Sequence, residues 1–206
     1  MLKEKELVIA TGNQGKVDEF KKLLSLSKIE VRTQAEFGLV TPAETGLTFV
    51  ENSLLKARYV CEKTGMPTLA DDSGLCVPSL GGAPGIFSSR YAGEGSSDAE
   101  NIEKLLSSLS SAVGSERMCF FICVLVLLKS KDDVAPYIVS KTWKGEVLET
   151  PKGENGFGYD PLFYVPSYKC SAAQLPSEIK NQVSHRGQAM KKFLADLQAG
   201  TDCELV

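Results

Sequence analysis

Leu69-Ala70-Asp71-Asp72-Ser73-Gly74 sets two adjacent carboxylates behind a short apolar run that begins at Pro67. The stretch reads as a strand that ends in acid and breaks into a turn. Side chains alternate along a strand, so Asp71 and Asp72 point to opposite faces. One of them can reach a metal or a water, and the other braces the loop. Paired acids at a strand end suit Mg2+, a hard cation that takes few protein carboxylates and keeps waters and phosphate oxygens as its other ligands. The same residues also read as an Asx-type turn with solvated acids.

Three further stretches carry chemistry. Thr11-Gly12-Asn13-Gln14-Gly15-Lys16 lies between the apolar strand Leu7–Ala10 and a helix. In that helix Val17, Phe20, Leu23 and Leu24 recur at helical spacing. Such a loop presents backbone N–H groups and the positive end of a helix dipole to an anion. A cation at Lys16, in the first helical turn, is unfavourable unless an anion lies nearby. The stretch is not a P-loop, because Ala10 and Val17 stand where that motif needs glycine and Ser or Thr. An ordinary strand–helix turn remains the alternative. The loop Gly153-Glu154-Asn155-Gly156-Phe157-Gly158-Tyr159-Asp160-Pro161 combines three glycines, two aromatics and acidic side chains, as a pocket wall against a flat ligand would. It also reads as a glycine-rich turn whose rings pack on the core. Ser184-His185-Arg186-Gly187 opens a final helix that runs to about Leu197. A basic pair there lacks support from the dipole and calls for an acceptor. His185 reads equally as a ligand contact and as a structural residue.

The intervening elements must position these groups. Ile29–Thr33 is a second strand, and a helix runs from Thr48 to about Thr64. Thr48 with Glu51 forms a capping box at its start. Val50, Leu54, Ala57 and Cys61 make its apolar stripe. Glu44 lies just outside that start, as a metal ligand or as a solvated loop acid. Lys56 and Arg58 lie off the stripe; Lys56 can face a phosphate, but a solvated face is the default. A helix from Asp98, as N-cap, to Leu109 follows the Gly81–Gly85 loop. Met118–Lys129 and Val134–Leu148 form a long hairpin, with Trp143-Lys144-Gly145 near a bulge or bend. Ser177–Val183 is a short helix that carries Lys180.

A chain of 206 residues allows one large domain or two lobes around a cleft. The net charge of −3 argues against a surface built for duplex DNA. The longest apolar run, Met118–Leu128, falls short of the roughly 20 residues that cross a bilayer. Met1–Glu6 is not a signal peptide, and a cytoplasmic protein is expected. Six scattered cysteines and a single histidine argue against structural zinc. Cys119 and Cys123 read as core.

The four chemical stretches, in this order and together with Glu44–Phe49 and Gly81–Ile86, resemble the inosine/xanthosine triphosphate pyrophosphatase (Ham1-like) family over Val8 to about Leu197. The resemblance implies a single α/β domain over 1–206. It has a long curved mixed β-sheet with flanking helices and two lobes around a central nucleotide-binding cleft. It also implies a homodimer and Mg2+-dependent hydrolysis of ITP, dITP and XTP to the monophosphate and pyrophosphate. No nucleic-acid or membrane partner is implied. By position, Asp72 matches the proton acceptor and a metal ligand, and Glu44 the other metal-binding acid. Thr11, Gly12, Asn13, Gln14, Gly15 and Lys16 match the phosphate-binding loop. Ser73, Phe157, Gly158, Tyr159, Asp160, Lys180, His185 and Arg186 match substrate contacts, and Lys56 would face the triphosphate. Phe157 or Tyr159 would stack on the base. His185 and Arg186 would donate to its 6-oxo group, which adenine lacks. The competing readings are a Maf-like pyrophosphatase acting on dTTP, UTP or modified pyrimidines, and a non-catalytic nucleotide-binding protein.

Overall fold

The computed structural model describes residues 5–25, 27 and 29–199; the expectations that rest on residues 1–4 and on Cys203 lie outside the described residues. The strands are β1 (Lys5–Ala10), β2 (Ile29–Thr33), β3 (Thr68–Cys76), β4 (Met118–Leu128), β5 (Tyr137–Val147), β6 (Phe163–Val165) and β7 (Cys170–Ser171). The helices are α1 (Gln14–Leu24), α2 (Phe49–Thr64), α3 (Asp98–Ser108), α4 (Ser177–Val183) and α5 (His185–Ala199). The strands form one sheet in the order β2-β1-β3-β4-β5-β6-β7. It is mixed: β1 runs parallel to both β2 and β3, whereas β6 is antiparallel to β5 and β7. No helix among the described residues is long and apolar enough to cross a membrane.

The chain divides into two compact units, residues 1–72, 123–141 and 186–206, and residues 73–122 and 142–185. In the first, Leu7–Ala10 of β1 are 0–1% exposed, as expected of a parallel strand covered on both faces. Leu7, Ile9 and Leu69 pack with Phe20 and Leu24 of α1 and with Ala189, Met190 and Phe193 of α5. Cys123, Leu125 and Leu127 of β4 complete this core, so Cys123 is the small buried hydrophobe its apolar setting implied. The second unit has its own core, in which Leu75 and Val77 meet Leu105 and Leu109 around Phe121, Trp143 and Phe163. The Phe121 and Trp143 rings each lie 4.7 Å from that of Phe163.

Three local expectations need correction. The acids do not end a strand: β3 continues through Asp71-Asp72-Ser73-Gly74 to Cys76. Asp, Ser and Gly are poor strand formers, but β-propensity yields to tertiary context, and here both carboxylates find buried partners. The N-cap of α3 is Ser97, not Asp98; its side chain accepts from Glu100 N, and Glu100 caps Ser97 in return. Finally, β5 runs unbroken through Trp143-Lys144-Gly145.

Gly145 marks a close approach instead of a bulge. A Cβ there would stand 2.5 Å from the Tyr164 carbonyl oxygen and 2.6 Å from the Phe163 ring. Gly145→Ala is therefore expected to destabilise the protein by about 1–3 kcal/mol, the usual cost of overpacking. A lower urea midpoint at unchanged m-value is the readout.

Candidate active site

Alternation along β3 sends Leu69 and Asp71 to the face covered by α1 and α5, and Asp72 to the face covered by α2. Asp71 is 0% exposed. Its Oδ2 lies 2.9 Å from Lys16 Nζ and 3.5 Å from Arg186 Nη2. Arg186 also donates through Nη1 to Glu19 of α1. Asn13 caps α1, its Oδ1 accepting from Lys16 N at 3.1 Å, while Thr11 Oγ1 accepts from Asn13 N at 3.2 Å. The anion that Lys16 required in the first helical turn is thus Asp71. Burial works against an ionised Asp71, but Lys16, Arg186 and Lys56 outweigh it and hold its carboxyl well below the usual range.

On the other face, Lys56 Nζ lies 2.5 Å from Glu44 Oε1 and 3.5 Å from Asp72 Oδ1. Asn52 Nδ2 donates to the second oxygen of Asp72 at 3.2 Å. Lys56 therefore lies in an interior ion cluster, not on a solvated face. The buried stripe of α2 is Asn52, Ser53, Lys56, Ala57, Val60 and Cys61, rotated from the apolar spacing of Val50 and Leu54. The rotation puts the polar first half of α2 against Asp72 and the small apolar second half in the core. Burial, aided by Glu44 and Asp71, pushes the Asp72 carboxyl up even though Lys56 and Lys16 pull it down. The adjacent carboxyls shift in opposite directions, Asp71 down and Asp72 up, a pattern that functional sites favour. No three His, Cys, Asp or Glu side chains among the described residues converge on a metal-sized space. Glu44 and Asp72 do converge, on a cation: the Lys56 ammonium.

In the second unit, Asp160 is buried and its Oδ2 accepts from Lys180 Nζ at 2.6 Å and from Phe157 N at 3.0 Å. Gly158 N donates to Asp98 Oδ2 at 2.6 Å. Lys180 Nζ lies 5.0 Å from the centroid of the Phe157 ring. These contacts fix the turn, and Phe157 is half-buried. Tyr159 differs: it is 3% exposed, belongs to the core, and its hydroxyl donates to the Ser88 carbonyl at 2.9 Å. Of the two candidate stacking rings, Tyr159 is structural. His185 stacks on Phe121 at 4.7 Å and an interplanar angle of 9°, with Trp143 at 6.4 Å. Ser73 is half-buried.

The candidate residues thus fall into two groups. Thr11, Gly12, Asn13, Gln14, Gly15, Lys16, Glu44, Lys56, Asp72 and Arg186 belong to the first unit; Ser73, Phe157, Gly158, Tyr159, Asp160, Lys180 and His185 belong to the second. His185 and Arg186, adjacent in sequence, serve different clusters: aromatic rings for one, Asp71 and Glu19 for the other. Sequence reasoning missed Asn52, Glu19 and Asp98. Asn52 was open to discovery, because it precedes Lys56 by one helical turn and so shares its face. Glu19 carried no signal, since its partner lies 167 residues away.

Known proteins place this geometry. The family profile described as Ham1 family matches residues 7–196. A dITP/XTP pyrophosphatase of Vibrio parahaemolyticus is 51% identical over 96% of this chain and 98% of its own length. That of Coxiella burnetii is 48% identical over 91% and 94%. The solved structure of a HAM1 protein from Coxiella burnetii superposes with a TM-score of 0.88 at 47% identity, covering 94% of this chain and 98% of that one. The Staphylococcus aureus Ham1 protein reaches 0.84 at 42%, over 96% and 100%. Similarity of this extent, in sequence and in fold from end to end, makes the chain a member of the Ham1 family.

Proposed function

We propose that this chain hydrolyses dITP, ITP and XTP to the monophosphate and pyrophosphate. The observation that carries the reading is the burial of Lys56, Asp71 and Asp72, with half-buried Lys16 beside them, around two adjacent positions of one strand. Buried ion pairs add little net stability, and oppositely shifted carboxyls beside lysines mark functional sites. The loop Thr11–Lys16 leaves the end of β1, where open α/β sheets bind their ligands. Similarity to relatives named dITP/XTP pyrophosphatase supports the same reaction.

Glu44 and Asp72 suit a divalent cation: two carboxylates converge on one positive charge, and Mg2+ takes one or two such ligands beside substrate phosphates. When bound, Mg2+ supplies a Lewis acid that neutralises phosphate charge. The chain's own residues do the rest. Asp72, held by Asn52, orients the attacking water and takes its proton. The water oxygen bonds to the α-phosphorus, the bond to the bridging oxygen breaks, and pyrophosphate departs with that oxygen. Lys16 and the backbone amides of the α1 N-terminus stabilise the charge that develops on the leaving group. Asp71 keeps Lys16 in place. Phe157 stacks on the base, with the Asp160–Lys180 pair steadying its loop. His185 donates to the 6-oxo group; adenine would leave that donor unpaired, at about 1–3 kcal/mol. Arg186, whose described partners are Asp71 and Glu19, contributes through Asp71. The family resemblance extends the reading to a cytoplasmic homodimer that clears deaminated purines from the nucleotide pool and engages neither nucleic acid nor membrane.

Pyrophosphate release from ITP, XTP, dITP, GTP, ATP and dTTP, with and without Mg2+, tests it. The expected result is release from the first three far above GTP and ATP, lost on chelation. Release from dTTP alone would assign the protein to pyrimidine nucleotides. Nucleotide binding without release would make the site a receptor.

A further inference from the structure

We propose that Lys56 is the resident counter-cation of the Glu44–Asp72 pair, and that it gives way to metal only when a triphosphate arrives to take the ammonium. Metal and nucleotide then bind together and not in succession. The inference rests on the pyrophosphatase reading for the identity of the triphosphate, but not for the competition itself.

The geometry carries it. Lys56 Nζ meets one oxygen of each carboxylate, 2.5 Å from Glu44 and 3.5 Å from Asp72. Its side chain is 4% exposed, against 17% for Glu44 and 6% for Asp72. A divalent ion shared by the same oxygens would sit within a few ångströms of the ammonium, and like charges that close repel strongly away from bulk water. The lysine, on its flexible four-carbon stem, is the group that can move. The segments that carry the two acids are held independently of it. Asn52, one turn earlier on α2, donates to the other oxygen of Asp72 at 3.2 Å and accepts from Gly46 N at 2.8 Å. Gly46, two residues from Glu44, is pressed against α2 so closely that a Cβ would stand 2.6 Å from Glu51 Cβ and 2.7 Å from Asn52 Oδ1. One amide thus ties both acid-bearing segments to the helix. Withdrawal of Lys56 leaves both segments anchored and removes one positive charge from beside the two carboxylates, which favours an incoming cation. A triphosphate brings compensating negative charge for the ammonium at the moment the metal takes its position.

The test is Mn2+ binding to the nucleotide-free protein, read by the electron paramagnetic resonance of free Mn2+. Wild type, Lys56→Met and Lys56→Gln are compared, with circular dichroism as the check on folding. Both neutral variants are expected to bind Mn2+ alone at least about tenfold more tightly than wild type, because the competing charge is gone. Adding Glu44→Gln should abolish the gain. A non-hydrolysable α,β-methylene analogue of ITP should tighten Mn2+ binding more in wild type than in Lys56→Met. Equal Mn2+ affinity in wild type and a folded neutral variant, or a gain that survives Glu44→Gln, would overturn the proposal. Pyrophosphate release by wild type judges the function separately, since the comparison without nucleotide reads Lys56 alone.

Discussion

Asp72→Asn is expected to slow pyrophosphate release from ITP by about 10²–10⁴-fold, the usual worth of a positioned general base, and to melt at or above the wild-type temperature. The substitution keeps the shape of the side chain and removes the charge proposed to take the proton. Its neutral effect on stability follows from the environment. Asp72 is 4% exposed, and burial, with Glu44 and Asp71 adding to it, raises its folded pKa. A raised carboxyl pKa means that the folded state prefers the protonated form. The stability this group contributes is complete below its unfolded value, near 4, and is lost as pH rises through the folded value. At neutral pH the charge is therefore a cost to folding that asparagine does not carry. Lys56 keeps Glu44 in the variant. Steady-state rates and melting curves on one preparation decide the matter. Near-wild-type turnover would remove Asp72 from the chemistry, and a large loss of stability would make it a structural acid.

The parts of this site that could be read from the sequence are those set by local pattern. The runs Leu7–Ala10 and Ile29–Thr33, the 3.6-residue spacing of Val17, Phe20 and Leu24, and the Thr48–Glu51 cap each announce an element, and the described structure contains them. Strand alternation put Asp71 and Asp72 on opposite faces, because it needs only that they are neighbours. What could not be read depends on partners remote in the chain. Lys56 looks like a surface lysine until Glu44 and Asp72 are seen around it. Asp-Asp-Ser-Gly looks like a turn until Lys16, Arg186 and Lys56 hold it in a strand. Phe157 and Tyr159 are equivalent by composition, and only the remote Ser88 carbonyl, which accepts from the Tyr159 hydroxyl, and the core packing around Tyr159 separate a buried ring from a half-buried one.

Asp71→Asn is expected to be the most damaging single change to the fold. Asp71 is 0% exposed and serves two cations at one oxygen, Lys16 at 2.9 Å and Arg186 at 3.5 Å. Asparagine removes the charge from both. Arg186 retains Glu19, but Lys16 loses its described partner. Removing one member of a buried pair costs about 3–5 kcal/mol, because the other charge stays behind uncompensated. For a chain of this length that is a fall of roughly 10 °C in melting temperature. The pH dependence is opposite to that of Asp72. Lys16, Arg186 and Lys56 depress the folded pKa of Asp71 despite its burial. Its contribution is therefore fully present above the unfolded value near 4 and is lost as pH falls below it. The gap between wild type and variant, measured by urea midpoints, should be constant from pH 7 to about 5 and should narrow below about 4. Arg186→Met separates two roles for the arginine. If Arg186 acts through Asp71, the variant loses stability as well as activity, and its cost shrinks when Asp71 is already asparagine. If it reads the base alone, the melting temperature stays at the wild-type value and only the preference for ITP over ATP falls. The shared Asp71 oxygen favours the first result.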